Sequence, residues 1–104
     1  RRNELEPENP EGYYALAVMA WQISYHERVS DDLRPEVLDE GQQAVQRAIE
    51  LRPDYFEAFV YANLLYRQKA KHAESDAARA EYETRYSEYE ERARQVRERQ
   101  KNVP

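Results

Sequence analysis

Apolar residues return every three or four positions along most of this chain, which is the spacing of one helix face. The first such stretch runs from about 10 to 28, and Pro10 stands at its start, where the missing N–H has no cost. The apolar set predicted to face the core of this helix is Tyr13, Leu16, Ala17, Ala20 and then Ile23 or Ser24.

Cap residues and prolines mark where the other helices begin. The run Ser30–Asp32 offers N-caps ahead of Pro35, and Ser75 or Asp76 offers one further along. No alternating apolar run bounded by turn residues predicts a strand. The fold class is therefore predicted to be all-α, with helices over about 10–28, 35–51, 55–71 and 76–101.

The pattern also repeats within the chain. Residues 7–17 align with 53–63 at a constant offset of 46, with Glu on Glu, small on small and aromatic on aromatic. A period between about 20 and 50 residues is typical of stacked helical units. We therefore expect antiparallel helical hairpins stacked as an α-solenoid.

Several positions resemble the tetratricopeptide repeat family. The second predicted helix resembles the second-helix pattern of that family, and the helices on either side resemble its first-helix pattern. The positions are Gly41, Val45, Ala48, Ile49, Leu51 and Pro53 for the second helix, Phe59, Ala62, Asn63 and Tyr66 for the following one, and Tyr13, Leu16, Ala17 and Ala20 for the preceding one.

The resemblance implies a single domain cut from an array of such repeats. Residues 1–9 would be the tail of a preceding repeat, 10–52 a first hairpin, and 53–102 a second hairpin with a long terminal helix. The 46-residue period exceeds the roughly 34 of the family. Asn63 stands where the family prefers Gly or Ala, which predicts a looser or hydrogen-bonded helix contact there.

Composition excludes several classes of function. The chain has 104 residues, a formal net charge of −5, no Cys and two Gly. Gly12 and Gly41 are too far apart for a phosphate-binding loop, and the absence of Cys removes disulfides and thiol nucleophiles. The acidic balance argues against a nucleic acid partner, and no apolar run approaches the roughly 20 residues that span a membrane. A cysteine-free chain leaves the cellular compartment open.

No catalytic or metal site is predicted, and no cofactor is expected. His26 and His72 share the 46-residue offset, so they fall at equivalent places in the two hairpins. They would be a metal or pH-sensitive pair, or simply two helix ends interacting with the helix dipole; no close ligand spacing favours a metal. The carboxylates begin helices or stand beside Arg at helical spacing. We therefore expect a protein that is not an enzyme.

A partner-binding groove is what the tetratricopeptide resemblance implies instead. The first helix of each hairpin would line a concave face and bind a protein or peptide there. Alternatively, Tyr14 and Trp21 fill space beneath a neighbouring unit, or Trp21 centres a groove for a small molecule. The groove residues predicted in this way are Tyr14, Val18, Trp21, Gln22, Glu57, Val60, Tyr61, Leu64, Arg67 and Gln68.

The terminal helix carries a heptad seam of Tyr82, Tyr86, Tyr89, Ala93 and Val96. It is predicted to overhang the third helix by about two turns. It would either cap the array or, through Tyr89, Ala93 and Val96, bind another copy of the chain. The sequence thus predicts a non-catalytic interaction module or scaffold, with structural self-association as the alternative. A homodimer is expected, because the first hairpin lacks the repeat that would cover it.

Overall fold

The computed structural model describes residues 8–102 and consists there of helices without strands. The helices are α1 (Pro10–Tyr25), α2 (Arg34–Leu51), α3 (Phe56–Lys71) and α4 (Asp76–Lys101). The all-α prediction is confirmed. The predicted tail of a preceding repeat falls mostly on residues 1–7, outside the described residues, and stays a prediction.

Two of the helix starts are closed by side-chain caps. Asn9 Oδ1 accepts a hydrogen bond of 3.0 Å from the N–H of Glu11, and Ser75 Oγ accepts one of 3.0 Å from Ala78. The predicted caps of α2 are wrong, because its N-cap is Leu33, which has no capping side chain. The carbonyl of Ser30 instead accepts the N–H of Leu33 and of Arg34, so the backbone alone closes this end.

The end of α1 comes three residues earlier than predicted. His26 is its C-cap, and Glu27 follows with φ of 57°, in the left-handed region. Arg28 N–H donates to Ile23 O at 2.9 Å and Glu27 N–H to Ser24 O at 3.1 Å, which is the Schellman arrangement. Glycine usually occupies this position, and here the Glu27 carboxylate is held by Arg34 at 2.9 Å.

The helices pack as two adjacent pairs. α1 packs on α2, α3 packs on α4, and α3 also contacts α1 and α2. α1 and α3 begin 46 residues apart, have 16 residues each and end at His26 and His72, so the internal repeat appears as two equivalent helices. The centre of the core is made of fully buried small and aliphatic side chains: Ala17, Val45, Ala48, Ala58, Ala62 and Leu65.

α4 packs on α3 along the heptad seam. Tyr89 stacks on Tyr66 at 5.9 Å between ring centroids, and Ala93 and Val96 are also buried within the chain. These side chains are covered by their own α3, so the prediction that they bind another copy is wrong, and the capping role is the one their burial supports. α4 has 26 residues against 16 in α3, so it is longer than α3 as predicted. Its far end does not project freely, because Gln100 Nε2 donates to the carbonyl of Asp54 at 3.0 Å, in the turn before α3.

Asn63 makes the hydrogen-bonded helix contact that its unusual position predicts. Its Nδ2 donates to the carbonyl of Tyr86 at 2.6 Å, and its Oδ1 accepts from Arg67 Nε at 3.0 Å. An amide therefore bridges α3 and α4 where a small residue would allow direct packing. Within residues 8–102, none of the helices is long and apolar enough to cross a membrane.

Candidate binding face

Five aromatic side chains form a continuous row along α1 and the start of α3, which we call the aromatic ladder. Tyr14 lies between Tyr55 and Tyr61, with ring centroids 5.2 and 5.6 Å away. Trp21 meets the other side of Tyr61 edge-on at 5.7 Å and stacks on Tyr25 at 4.6 Å. The ladder therefore runs in the order Tyr55, Tyr14, Tyr61, Trp21, Tyr25.

Helical spacing and helix pairing together produce this row. Tyr14 and Trp21 are seven residues apart on α1, so they lie on one side of the helix two turns from each other. α3 lies beside α1 and places Tyr61 between them. Edge-to-face contacts at such distances are favourable for aromatic rings. Trp21 and Tyr61 are both half-buried, so each ring packs between helices and also keeps an exposed part.

Two phenol groups of the ladder, those of Tyr14 and Tyr55, remain neutral at physiological pH. Burial raises the pKa of Tyr14, and the neighbouring Tyr61, Tyr55 and Glu57 raise it further. Burial also raises the pKa of Tyr55, against the opposing effect of the Arg52 guanidinium, which lies 4.5 Å from the ring centroid. This end of the ladder, at which Tyr55 is itself buried, therefore carries uncharged hydroxyls.

The other predicted groove residues surround the ladder, except that Arg67 lies at its α4 edge and Gln68 lies outside it. Val18, Val60 and Leu64 are half-buried, and Gln22 and Glu57 are exposed. Arg67 is exposed too, but it lies towards α4. Its guanidinium covers the ring of Tyr86 at 4.2 Å and approaches the Glu90 carboxylate at 3.5 Å. Arg67 therefore marks the α4 edge of the face.

Gln68 does not belong to this face, and its prediction as a groove residue is wrong. It is 6% exposed, and its Oε1 accepts a hydrogen bond of 2.7 Å from the hydroxyl of Ser24. The side chain lies between α1 and α3 rather than on their outer surface. A buried polar pair of this kind is stabilising only while both partners are present.

A buried arginine that the sequence pattern does not predict extends this polar contact. Arg34 is 2% exposed and donates to the carbonyl of Ser24 at 2.7 Å and to its hydroxyl at 3.0 Å. Its other terminal nitrogen donates to Glu27 at 2.9 Å and approaches Asp31 at 3.4 Å. One feature of the sequence points to such a partner. Ser24 places a hydroxyl on an otherwise apolar helix face, and a buried hydroxyl requires a hydrogen-bond partner.

A cleft of about 640 Å³ opens beside Arg34, between the start of α2 and the turn that leads into α4. His72 lies on the wall of this cleft. Burial lowers the pKa of His72, and the nearby positive charge of Arg34 lowers it further. His72 ends a helix as predicted, but a lowered pKa means that it does not act as a cation at the helix dipole. Lys69 is paired with Asp39 at 2.8 Å in the same wall, so the charges here largely satisfy each other.

The half-buried rings of Tyr14, Tyr61 and Trp21, the exposed ring of Tyr25 and their rim therefore form a surface with the composition of a contact site, whereas the cleft is lined by groups that hold the helices together. No family model, curated protein or solved structure matches the chain, which leaves this geometry as the basis for a functional proposal.

Proposed function

We propose that this chain is a non-catalytic protein–protein interaction module that binds a peptide or protein segment along the aromatic ladder. The observation that carries the proposal is the contact between Trp21 and Tyr61, which meet at 5.7 Å across two helices while both remain partly exposed. Tetratricopeptide-like stacking of the helical pairs is part of the same proposal, because it makes the first helix of each pair line one face.

The chemistry of the ladder suits recognition of a protein. Trp and Tyr are the residues most enriched among those that dominate binding energies. The rings support one another across α1 and α3, so little side-chain freedom remains to be lost when a partner binds. Exposed polar side chains such as Gln22 and Glu57 form a rim at which partners can be discriminated.

Selection of peptides from a displayed library on the immobilised protein would test this function. Trp21 is the only tryptophan in the chain, so its fluorescence reports on ligands that reach the ladder. Calorimetry on selected peptides should show Trp21→Ala weakening binding by about 2 kcal/mol, or about 30-fold. The helical circular dichroism of this variant should stay close to that of the wild type.

Two further variants make the result interpretable. Met19→Ala changes an exposed apolar residue elsewhere on α1 and should leave peptide affinity unchanged. Gln22→Arg adds bulk and charge at the exposed rim and should weaken binding without affecting the fold. Peptides that bind all of these variants equally well, Trp21→Ala included, would contradict the proposal. Collapse of Trp21→Ala together with normal binding by Gln22→Arg would assign Trp21 to the core alone.

Self-association is the second candidate function, and a different observation favours it. Leu16 and Met19 lie on α1 with 42% and 54% of their surface exposed. The terminal helix is not involved, because its seam is buried. A scaffold role through contacts between copies would therefore depend on α1.

A further inference from the structure

α1 and α3 correspond residue for residue at the 46-residue offset. Both have 16 residues, starting at Pro10 and at Phe56, and both end at a histidine C-cap. Each is also the first helix of a packed pair, α1 with α2 and α3 with α4. A contact that α3 makes therefore identifies the residue of α1 that has the same position on its own helix.

α3 packs on the first pair through one face, which we call the docking face of α3. Leu65 lies against Gly41 of α2, because a Cβ at that glycine would be 3.1 Å from a methyl of Leu65. Gln68 accepts the 2.7 Å hydrogen bond from Ser24 of α1. Leu65 is fully buried, as is Ala62 one turn before it. α1 and α2 together therefore form the surface that receives α3.

The corresponding face of α1 is open within residues 8–102. Leu16 is 42% and Met19 is 54% exposed, and Gln22 is exposed as well. Exposed apolar side chains at positions that are interior in the equivalent helix indicate a surface that another element covers. The four residues of α1 at these positions are Gly12, Leu16, Met19 and Gln22, and their counterparts on α3 are Ala58, Ala62, Leu65 and Gln68.

We infer that this face of α1 binds a helical hairpin of the same kind as α1–α2, in the way that the α1–α2 pair binds α3. Met19 would then pack against a small residue of that hairpin, as Leu65 packs at Gly41. Gln22, exposed at the rim of the ladder in the described chain, would accept a hydrogen bond as Gln68 does. A second copy of this chain does not offer such a hairpin, because its own α3 covers the receiving surface.

The sequence ahead of α1 agrees with a hairpin joined directly to it. Residues 1–7 share four residue types with 47–53, which form the end of α2 and the start of the turn that leads to α3. In the first pair this segment connects a second helix to the first helix of the next pair. The matching residues are Arg1, Glu4, Leu5 and Pro7 with Arg47, Glu50, Leu51 and Pro53.

Two differences between the faces define what the hairpin must offer. Ile23 stands where α3 has Lys69, whose ammonium pairs with Asp39 at 2.8 Å. The hairpin should therefore present an apolar residue to Ile23 rather than a carboxylate. Leu16 is also larger than its counterpart Ala62, so the hairpin should leave more room at that position.

An extended chain tests the inference. A second copy of residues 8–46 is joined ahead of Arg1, so that residues 1–7 continue it as 47–53 continue the original hairpin. The added copy carries Asp39→Ala, because no carboxylate should face Ile23. Circular dichroism should show one unfolding transition, with a melting temperature about 5 °C or more above that of the 104-residue chain. A second version carries Leu16→Ala in the original part, which removes the difference in size.

Met19→Glu in the original part locates the contact. In the extended chain it should cancel the rise in melting temperature, because the carboxylate would be buried without a partner. In the 104-residue chain it should have little effect, because Met19 is exposed there. Tyr25→Glu is the matched control: its counterpart Lys71 is exposed on α3, so this change should have the same effect in both chains.

Three results would overturn the inference. The first is an added hairpin that stays unfolded, or unfolds in a separate transition, in both extended versions. The second is an equal effect of Met19→Glu on the extended and the 104-residue chain. The third is a dimer of the 104-residue chain in sedimentation equilibrium that Met19→Glu abolishes, which would assign the face to a second copy. All of these readouts are independent of peptide binding, so they stand apart from the test of Trp21→Ala.

Discussion

The hydroxyl of Ser24 donates a 2.7 Å hydrogen bond to Oε1 of Gln68, which joins α1 to α3 inside the protein. Arg34 donates to the same hydroxyl at 3.0 Å, so α2 shares the contact. Three helices from both pairs therefore meet at one serine. This polar junction stands at one end of an otherwise alanine-rich core, and it sets how the two helical pairs are positioned against each other.

Replacement of Arg34 by Ala should lower the free energy of unfolding by about 1–3 kcal/mol, because the Ser24 carbonyl and hydroxyl lose a buried donor. The loss should stay below that of a wholly buried ion pair, since the side chains of Glu27 and Asp31 are 62% and 91% exposed and can rehydrate. Urea denaturation measures the change. Arg47→Ala, which removes an exposed pair with Glu50, should change little, and equal effects of the two variants would refute the importance of the junction.

Gly41→Ala should destabilise the protein by about 1–3 kcal/mol despite the better helix propensity of alanine. A Cβ at Gly41 would lie 2.6 Å from the Cβ of Ala20 and 3.1 Å from a methyl of Leu65. The helices would have to separate. Thermal unfolding of the double variant Gly41→Ala with Ala20→Gly provides the check, because removing the Ala20 methyl should recover most of the loss. No recovery in the double variant would mean that Ala20 is not the obstacle.

Ala48→Asp should unfold the protein or nearly so. Ala48 is fully buried, and a carboxylate there would be desolvated without a partner, at several kcal/mol. Ala77→Asp is the control, because Ala77 is exposed in the first turn of α4, where a negative charge suits the helix dipole. Circular dichroism melts compare the two, and an unchanged melting temperature for Ala48→Asp would contradict the packing described above.

Stability should fall as the pH is lowered from about 7.5 to 5.5, and His72 should contribute to this fall. Its pKa in the folded protein lies below the usual value of about 6.5, because burial and then Arg34 disfavour the charged form. Below about pH 6.5 the imidazole is therefore protonated in the unfolded chain but not in the folded protein. The free energy of unfolding falls with pH until the pH reaches the lowered pKa of the folded protein.

Urea midpoints at the two pH values measure this contribution. His72→Gln should lose less stability between them than the wild type, because the imidazole whose pKa is lowered in the folded protein is gone. The same pH dependence in the wild type and in His72→Gln would show that His72 is not responsible. Comparing the variant with the wild type also separates the contribution of His72 from that of the other ionisable groups.

The sequence by itself determined the helices and their repetition. Their bounds came within three residues of the observed ones, and the Ser75 cap and the 46-residue offset of α1 and α3 were both confirmed. These features depend on residues within a few positions of each other. Caps, prolines and the 3.6-residue period act locally, so a linear pattern is enough to read them.

Only the tertiary structure decided which side of each helix is covered. On α1 the spacing places Leu16 in the core and Trp21 in the groove, yet Leu16 is 42% exposed and Trp21 packs against Tyr61 of α3. Arg34 and Gln68 look like surface residues in the sequence, but they are buried because each finds a partner at Ser24. Burial of a polar group is settled by a partner far away in the chain, and the covered face of a helix is settled by its neighbours. Both are properties of packing, which local sequence does not encode.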